Sequence, residues 1–234
     1  MTGPLLGMAV VLAWIANYVF MMLAANPSMA LHWVFVLVQC WLNVGLFIVA
    51  HDCMHGSFAP RRRWLNTVAG RVCLFLYAGF SYDRLRPAHF EHHKAPGSAA
   101  DPDFDERHPS AFLAWFVRFM FTYFGLKEFA VMFAFVVAQL LAGVPLVKLY
   151  IFWALPAIAS ALQLFYFGTF LPHRHNAEAF VDGHNARTQN FPELVSLVTC
   201  FHFGYHHEHH LQPSVPWWQL PCVHRRVAQA GVSP

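Results

Sequence analysis

The 234-residue chain is 57% hydrophobic and only 12% charged, with a formal net charge of +3 at pH 7. A water-soluble domain carries roughly 25% charged residues to cover its surface, so much of this surface faces something other than water, as in an integral membrane protein. The slight basic excess, without a basic arm or aromatic–basic alternation, excludes nucleic-acid binding. The five scattered cysteines, none in a C-x-x-C pair, exclude a disulfide framework or thiolate metal site.

Residues 1–50 contain no Asp, Glu, Lys or Arg. No basic segment or small-residue cleavage site marks a removable signal peptide there. Two apolar stretches, about 5–25 and 31–50, flank an Asn26-Pro27-Ser28 turn. Each has the roughly 20 residues that cross a hydrocarbon core of about 30 Å. Trp64–Tyr82 is apolar but interrupted by Arg71, which predicts an interfacial or re-entrant helix, and Ala111–Phe124 predicts a helix at the membrane surface. A second apolar pair follows at about 129–147 and 149–171, joined near Gly143, Pro145 and Lys148. The expected fold is one all-α membrane domain over 1–234, with four transmembrane helices in two hairpins.

In that topology the loops after the second and fourth spans share one side with both termini. That side holds 14 of the 15 Lys and Arg residues, all but Lys148, and the positive-inside rule makes it cytoplasmic. It also holds 15 of the 16 histidines, all but His32. The cytoplasmic face is therefore the expected seat of the chemistry.

Those histidines are clustered at helical spacings. The second span runs into His51-Asp52-Cys53-Met54-His55, an H-x-x-x-H whose imidazoles lie on one helix face. His89, His92 and His93 form H-x-x-H-H, each box offering three nitrogens on a shared face, and His206, His209 and His210 repeat it. His173 closes the fourth span. A single such box is commonly incidental; three on one membrane face indicate cations held by neutral nitrogen donors. Imidazole suits Zn, Cu, Fe and Ni alike, but structural zinc needs four ligands and haem one or two. So many donors suggest two metal ions, and soluble di-iron sites use mostly carboxylates. The pattern points to the membrane-bound, histidine-rich di-iron class.

The strings around these boxes carry a narrower resemblance. His51-Asp-Cys-Met-His55-Gly, His89-x-x-His92-His93 followed by Ala100-Asp-Pro-Asp-Phe104, Phe167-Gly-Thr-Phe-Leu-Pro-His173-Arg and His184-Asn-Ala-Arg187 resemble the bacterial β-carotene ketolases. So do Cys200-Phe-His-Phe-Gly-Tyr-His206-His-Glu-His-His210 and Val215-Pro-Trp-Trp-Gln-Leu-Pro221, in one collinear order. The boxes alone mark the wider desaturase and hydroxylase superfamily. The resemblance implies a non-haem di-iron membrane oxygenase using O2 and a ferredoxin-type electron donor. It would take β-carotene from the bilayer through echinenone to canthaxanthin, and hydroxylated carotenoids towards astaxanthin. The ligand set it implies is His51, His55, His89, His92, His93, His173, His206, His209 and His210.

Among the surrounding residues, Asp52 is the candidate catalytic carboxylate, orienting a ligating imidazole or capping the helix. Asp101, Asp103 and Asp105 match the family's acidic string and read as a solvated turn. Glu91 and Glu208 lie inside boxes, as acceptors for ligand imidazoles. Arg61, Arg62 and Arg63 satisfy the positive-inside rule, with docking of an acidic ferredoxin as the other reading. Two other functions compete: a fatty-acyl desaturase or carotenoid hydroxylase with the same metal core, and a metal-ion transporter. The transporter needs polar groups near the bilayer midplane, where only Asn43 and Gln139 stand out.

Overall fold

The computed structural model describes residues 2–229, and every regular element among them is helical. In chain order these are α1 (Thr2–Leu23), α2 (Trp33–His55), α3 (Arg63–Ala78), α4 (Tyr82–Lys94), α5 (Phe112–Tyr123), α6 (Leu126–Leu141), α7 (Leu146–His173), α8 (Glu193–Cys200), α9 (His206–Leu211) and α10 (Leu220–Gln229). A single tight helical turn, Ala30–His32, leads into α2. Three helical stretches are long and apolar enough to cross a membrane: α1, α2 with its leading turn, and α7. A fourth candidate is the α5–α6 pair, bent by 84°.

The exposed side chains of α1 include Leu5, Met8, Leu12, Ile15, Val19 and Leu23, a helical-period stripe of bare hydrocarbon. Water would not tolerate so continuous an apolar face; lipid does. The other face packs on α2 through two polar ties: Trp14 Nε1 donates to Asn43 Oδ1 at 2.6 Å, and Asn17 Nδ2 to Gln39 Oε1 at 2.7 Å. Asn43, one of the two polar groups a transporter would use, is thus committed to a buried hydrogen bond.

The second apolar pair divides differently from its expected 129–147 and 149–171. The first helix starts earlier and stops at Leu141, because Gly143 turns the chain at a φ of 84° and Pro145 has no N–H to continue it. At 16 residues it is about 24 Å long, short of a full crossing. The next helix begins at Leu146, takes in Lys148 and runs to His173. Lys148 Nζ donates to the Met22 carbonyl at 2.9 Å, so the start of α7 and the end of α1 share one end of the bundle. The other end therefore gathers the last turns of α2 and α7, the two that carry histidines.

α3 is a 16-residue helix over the segment read as interfacial, and α5 lies where the surface helix was expected. α5 presents Phe112, Trp115, Phe116 and Phe119 to Phe165 and Phe170 of α7 and leaves Leu113, Val117 and Phe121 exposed. α2 is the central element, packing on α1, α3, α7 and α8. α4 is locked to it where the Tyr82 hydroxyl donates to the Cys53 carbonyl at 2.9 Å. The Tyr82 ring lies over Gly70 of α3, where a Cβ would sit 2.2 Å from Cε2. Gly70→Val is therefore expected to cost about 1–3 kcal/mol by overpacking and to pull α4 off α2. Thermal unfolding of the purified protein reads this directly.

Candidate metal centre

α2 ends immediately after its histidines because Gly56 takes the left-handed conformation, φ 74°, and its N–H bonds back to the Cys53 carbonyl. His51 and His55 thus occupy the last two turns of a buried helix. α4 crosses beside them, α7 delivers His173 on its last residue, and the six-residue α9 carries the final box. A wide turn at Tyr166–Phe170 and Pro172 precede His173, so the helix is locally unwound where it must aim that ring.

The nine histidines converge as two groups. His51, His55, His89, His93 and His209 place ligand-capable nitrogens within 4.8 Å of one another, and His92, His173, His206 and His210 do the same. Each H-x-x-H-H box is split: α4 gives two rings to the first group and one to the second, and α9 does the reverse. The expected sharing of one face by all three residues of a box holds only in part. The His93 and His210 rings stack at 4.3 Å between centroids, which sets the groups side by side.

Within each group the Nε2 atoms face one another. The pairs are His55–His89 at 2.6 Å, His89–His93 and His93–His209 at 3.1 Å, His173–His206 at 2.9 Å and His206–His210 at 3.1 Å. His92 Nδ1–H donates to Asp101 Oδ2 at 2.9 Å and His173 Nδ1–H to the Asn185 carbonyl at 2.7 Å. Those bonds fix the tautomer, leaving lone pairs on both Nε2 atoms, aimed inward. Neither nitrogen of His51, nor Nδ1 of His206 or His210, has a hydrogen-bond partner although each is buried. Converging Nε2 lone pairs, with a buried His51 that has no partner on either nitrogen, are what a cation resolves, and the donor set fits two.

The electrostatics favour neutral rings. Burial, then neighbouring imidazoles, hold His89, His206, His209 and His210 well below the usual histidine range and His93 down to about 2. His92 runs the other way: burial pushes it down, but the Asp101 hydrogen bond and the carboxylates of Asp103 and Asp101 lift it above the ordinary value.

The remaining candidates stand around this core. Asp52 is buried beside His51, Oδ1 3.8 Å from its Nδ1, while Oδ2 accepts the Trp217 N–H at 3.2 Å. Asp101, read as part of a solvated turn, is instead buried; it accepts from His92, from Gly97 N at 2.8 Å and from Asp103 N at 2.8 Å. Glu208 bonds His224 Nδ1 at 2.6 Å and the Thr188 hydroxyl, and Glu91 pairs with Lys94 at 2.6 Å, so neither touches the nine rings. His207 and His184 both bind Asp182, and His175 bonds the Gly97 carbonyl at 3.1 Å, outside the two groups. Asn185 was invisible in the sequence because it acts through its backbone carbonyl. Asp101→Ala, which leaves His92 Nδ1 without its acceptor, is expected to lower metal affinity and activity about 10–100-fold, measured by metal titration of the stripped protein.

Beside this core, an apolar cavity of about 330 Å³ lies between α5, α6 and α7, reaching Met132, Trp153 and Ile158. Phe47, Phe80 and Phe119 also line a second pocket of about 60 Å³, whose wall includes His51 and His89. Hydrocarbon surface thus leads to the edge of the five-histidine group, and the four-histidine group touches neither cavity.

The family model for fatty acid desaturases matches residues 25–135 and 126–232. A β-carotene ketolase from Paracoccus sp. strain N81106 is 45% identical over 95% of this chain and 92% of its own length. Another from Paracoccus sp. strain PC1 is 43% identical over the same shares. A zeaxanthin 4-ketolase from Chlamydomonas reinhardtii is 39% identical over 83% of this chain and 44% of its own.

Proposed function

The chain belongs to the fatty acid desaturase family, among its β-carotene ketolases, and we propose that it oxidises the ring carbon C4 of β-carotene to a ketone. The products in sequence are echinenone and canthaxanthin, with hydroxylated carotenoids such as zeaxanthin taken towards astaxanthin. The observation that carries this reading is the apolar passage ending at His51 and His89. A bilayer-dissolved hydrocarbon needs such an entry, and a water-borne substrate does not.

His51, His55, His89, His93 and His209 would hold one iron, and His92, His173, His206 and His210 the other. When bound, the pair supplies O2 activation. Each round consumes O2, two electrons and two protons, converting C–H to C–OH and releasing water; a second round on that carbon gives a geminal diol, which loses water to leave the ketone. Phe47, Phe80 and Phe119 hold the ring against the histidine edge and keep water out. Asp101 and the Asn185 carbonyl keep two rings in the donor tautomer, and Asp52 fixes the end of α2 behind His51. Electrons come from a ferredoxin-type donor. With the bent α5–α6 pair as its third crossing, the chain would pass the bacterial inner membrane four times in two hairpins, with both termini and the metal centre cytoplasmic, as its Lys and Arg distribution favours.

Expression in β-carotene-accumulating cells tests the reading. Conjugated ketones with red-shifted absorption are expected, with about two irons per purified chain. Hydroxylated carotenoids alone, altered fatty acids alone, or stoichiometric zinc without iron would overturn it.

A further inference from the structure

The small pocket at His51 and His89 has two polar residues in its wall besides those histidines: Asp103, in the loop after α4, and Tyr123, on the last turn of α5. The Tyr123 hydroxyl donates to Asp103 Oδ1. Asp103 Oδ2 accepts no hydrogen bond among the described residues. His92 Nδ1, 3.9 Å away, donates instead to Asp101. The Asp103 side chain is mostly buried, with 16% of it exposed, and a carboxylate oxygen in such a place is stabilised by a donor.

The pair is not needed to hold the loop. Asp103 is anchored through its main chain, its carbonyl accepting Trp115 Nε1 at 2.6 Å and its N–H donating to Asp101 Oδ1 at 2.8 Å. Among the described residues, the one hydrogen bond its carboxylate accepts is that from Tyr123, on Oδ1. A carotenoid ring presented to His51 and His89 places the reacting carbon, and the carbons bonded to it, in this same pocket. A hydrocarbon ring has no donor to offer Oδ2. A ring hydroxyl does.

We propose that Asp103 Oδ2, steadied by Tyr123, accepts a hydrogen bond from a hydroxyl on the ring being oxidised. The inference rests on the ketolase reading above and concerns what happens between its two rounds. The hydroxyl has two sources: the alcohol left on the reacting carbon by the first oxygenation, or one already carried on the neighbouring carbon by a hydroxylated substrate. In the first case the pair retains the half-oxidised ring for the second round, so that ketone rather than alcohol leaves the site.

Tyr123→Phe and Asp103→Asn test this. The first keeps the aromatic packing; the second keeps the size of the side chain and serves if the first fails to load iron. In one arm membranes receive β-carotene, and ring alcohol and ketone are quantified together with iron. In the other, β-carotene competes with its 3-hydroxylated counterpart. With iron loading as in the parent, the ketone-to-alcohol ratio is expected to fall roughly tenfold or more, the loss that a buried hydrogen bond to a charged group carries. A shift in the first arm alone assigns the bond to the alcohol made in place, and a shift in substrate preference alone assigns it to the incoming hydroxyl. Parallel loss of alcohol and ketone with neither ratio moving, or loss of activity in step with iron, overturns the inference. Parent protein that makes no ketone defeats the ketolase reading instead, which separates the two failures.

Discussion

His173→Ala is expected to abolish ketone formation and halve the iron content, whereas His55→Ala retains more of its metal. The asymmetry follows from donor number. His173 belongs to the four-ring group, so its removal leaves three nitrogens; His55 belongs to the five-ring group, whose loss still leaves four. His173 also carries the Asn185 tie and is the single ring that α7 delivers. Removing it takes from the buried Nε2 of His206 the ring that faces it at 2.9 Å and leaves it His210 alone, at 3.1 Å. Activity should fall by more than the roughly 100-fold that losing an outer partner costs. Metal analysis of both variants beside pigment conversion decides the matter. Equal iron in the two, or full activity in His173→Ala, would contradict the partition of rings described above.

That partition marks where reading the sequence stops. Eight of the nine rings were legible because they fall at helical spacings within three boxes, a local signal, whereas His173, closing the last span, entered the ligand set through the family resemblance. Which box residue serves which group depends on how α4 and α9 face each other, and no period within either helix records that. His89 and His93 stay together because four residues bring them to one face, while His92, one residue earlier than His93, points to the other group. Asp101 was misread for a related reason. It lies nine residues beyond His92 in irregular chain, where spacing predicts no contact, and a cluster of aspartates normally seeks water. Its burial is decided by three donors that the fold brings to it. The Asn185 carbonyl leaves no side-chain trace at all. By contrast, the end of α6 was present in the string Gly143-Val144-Pro145 and outweighs the apolar residues that follow it.

Stripping the metal should make the protein acid-labile below about pH 6.5, the ordinary histidine value. His89, His93, His206, His209 and His210 all titrate lower in the fold than in an unfolded chain, chiefly because they are buried. Below the unfolded value the unfolded chain binds protons that the folded one refuses, so stability falls as pH falls. Each such ring contributes about 1.4 kcal/mol per pH unit over that window. His92 does not offset this slope: its folded value is raised, so its contribution is fully present below the unfolded value and is lost only as pH rises through the folded one. The five rings together leave several kcal/mol per unit, comparable with the roughly 5–15 kcal/mol that hold a typical domain together. Metal adds to the folded side by binding the same neutral nitrogens, so the loaded protein should resist acid to a lower pH. Thermal unfolding of chelator-stripped and iron-loaded protein between pH 7.5 and 5 reads both effects. A melting temperature of the stripped protein that stays level or rises towards acid would mean those five imidazoles are not packed together as neutral rings.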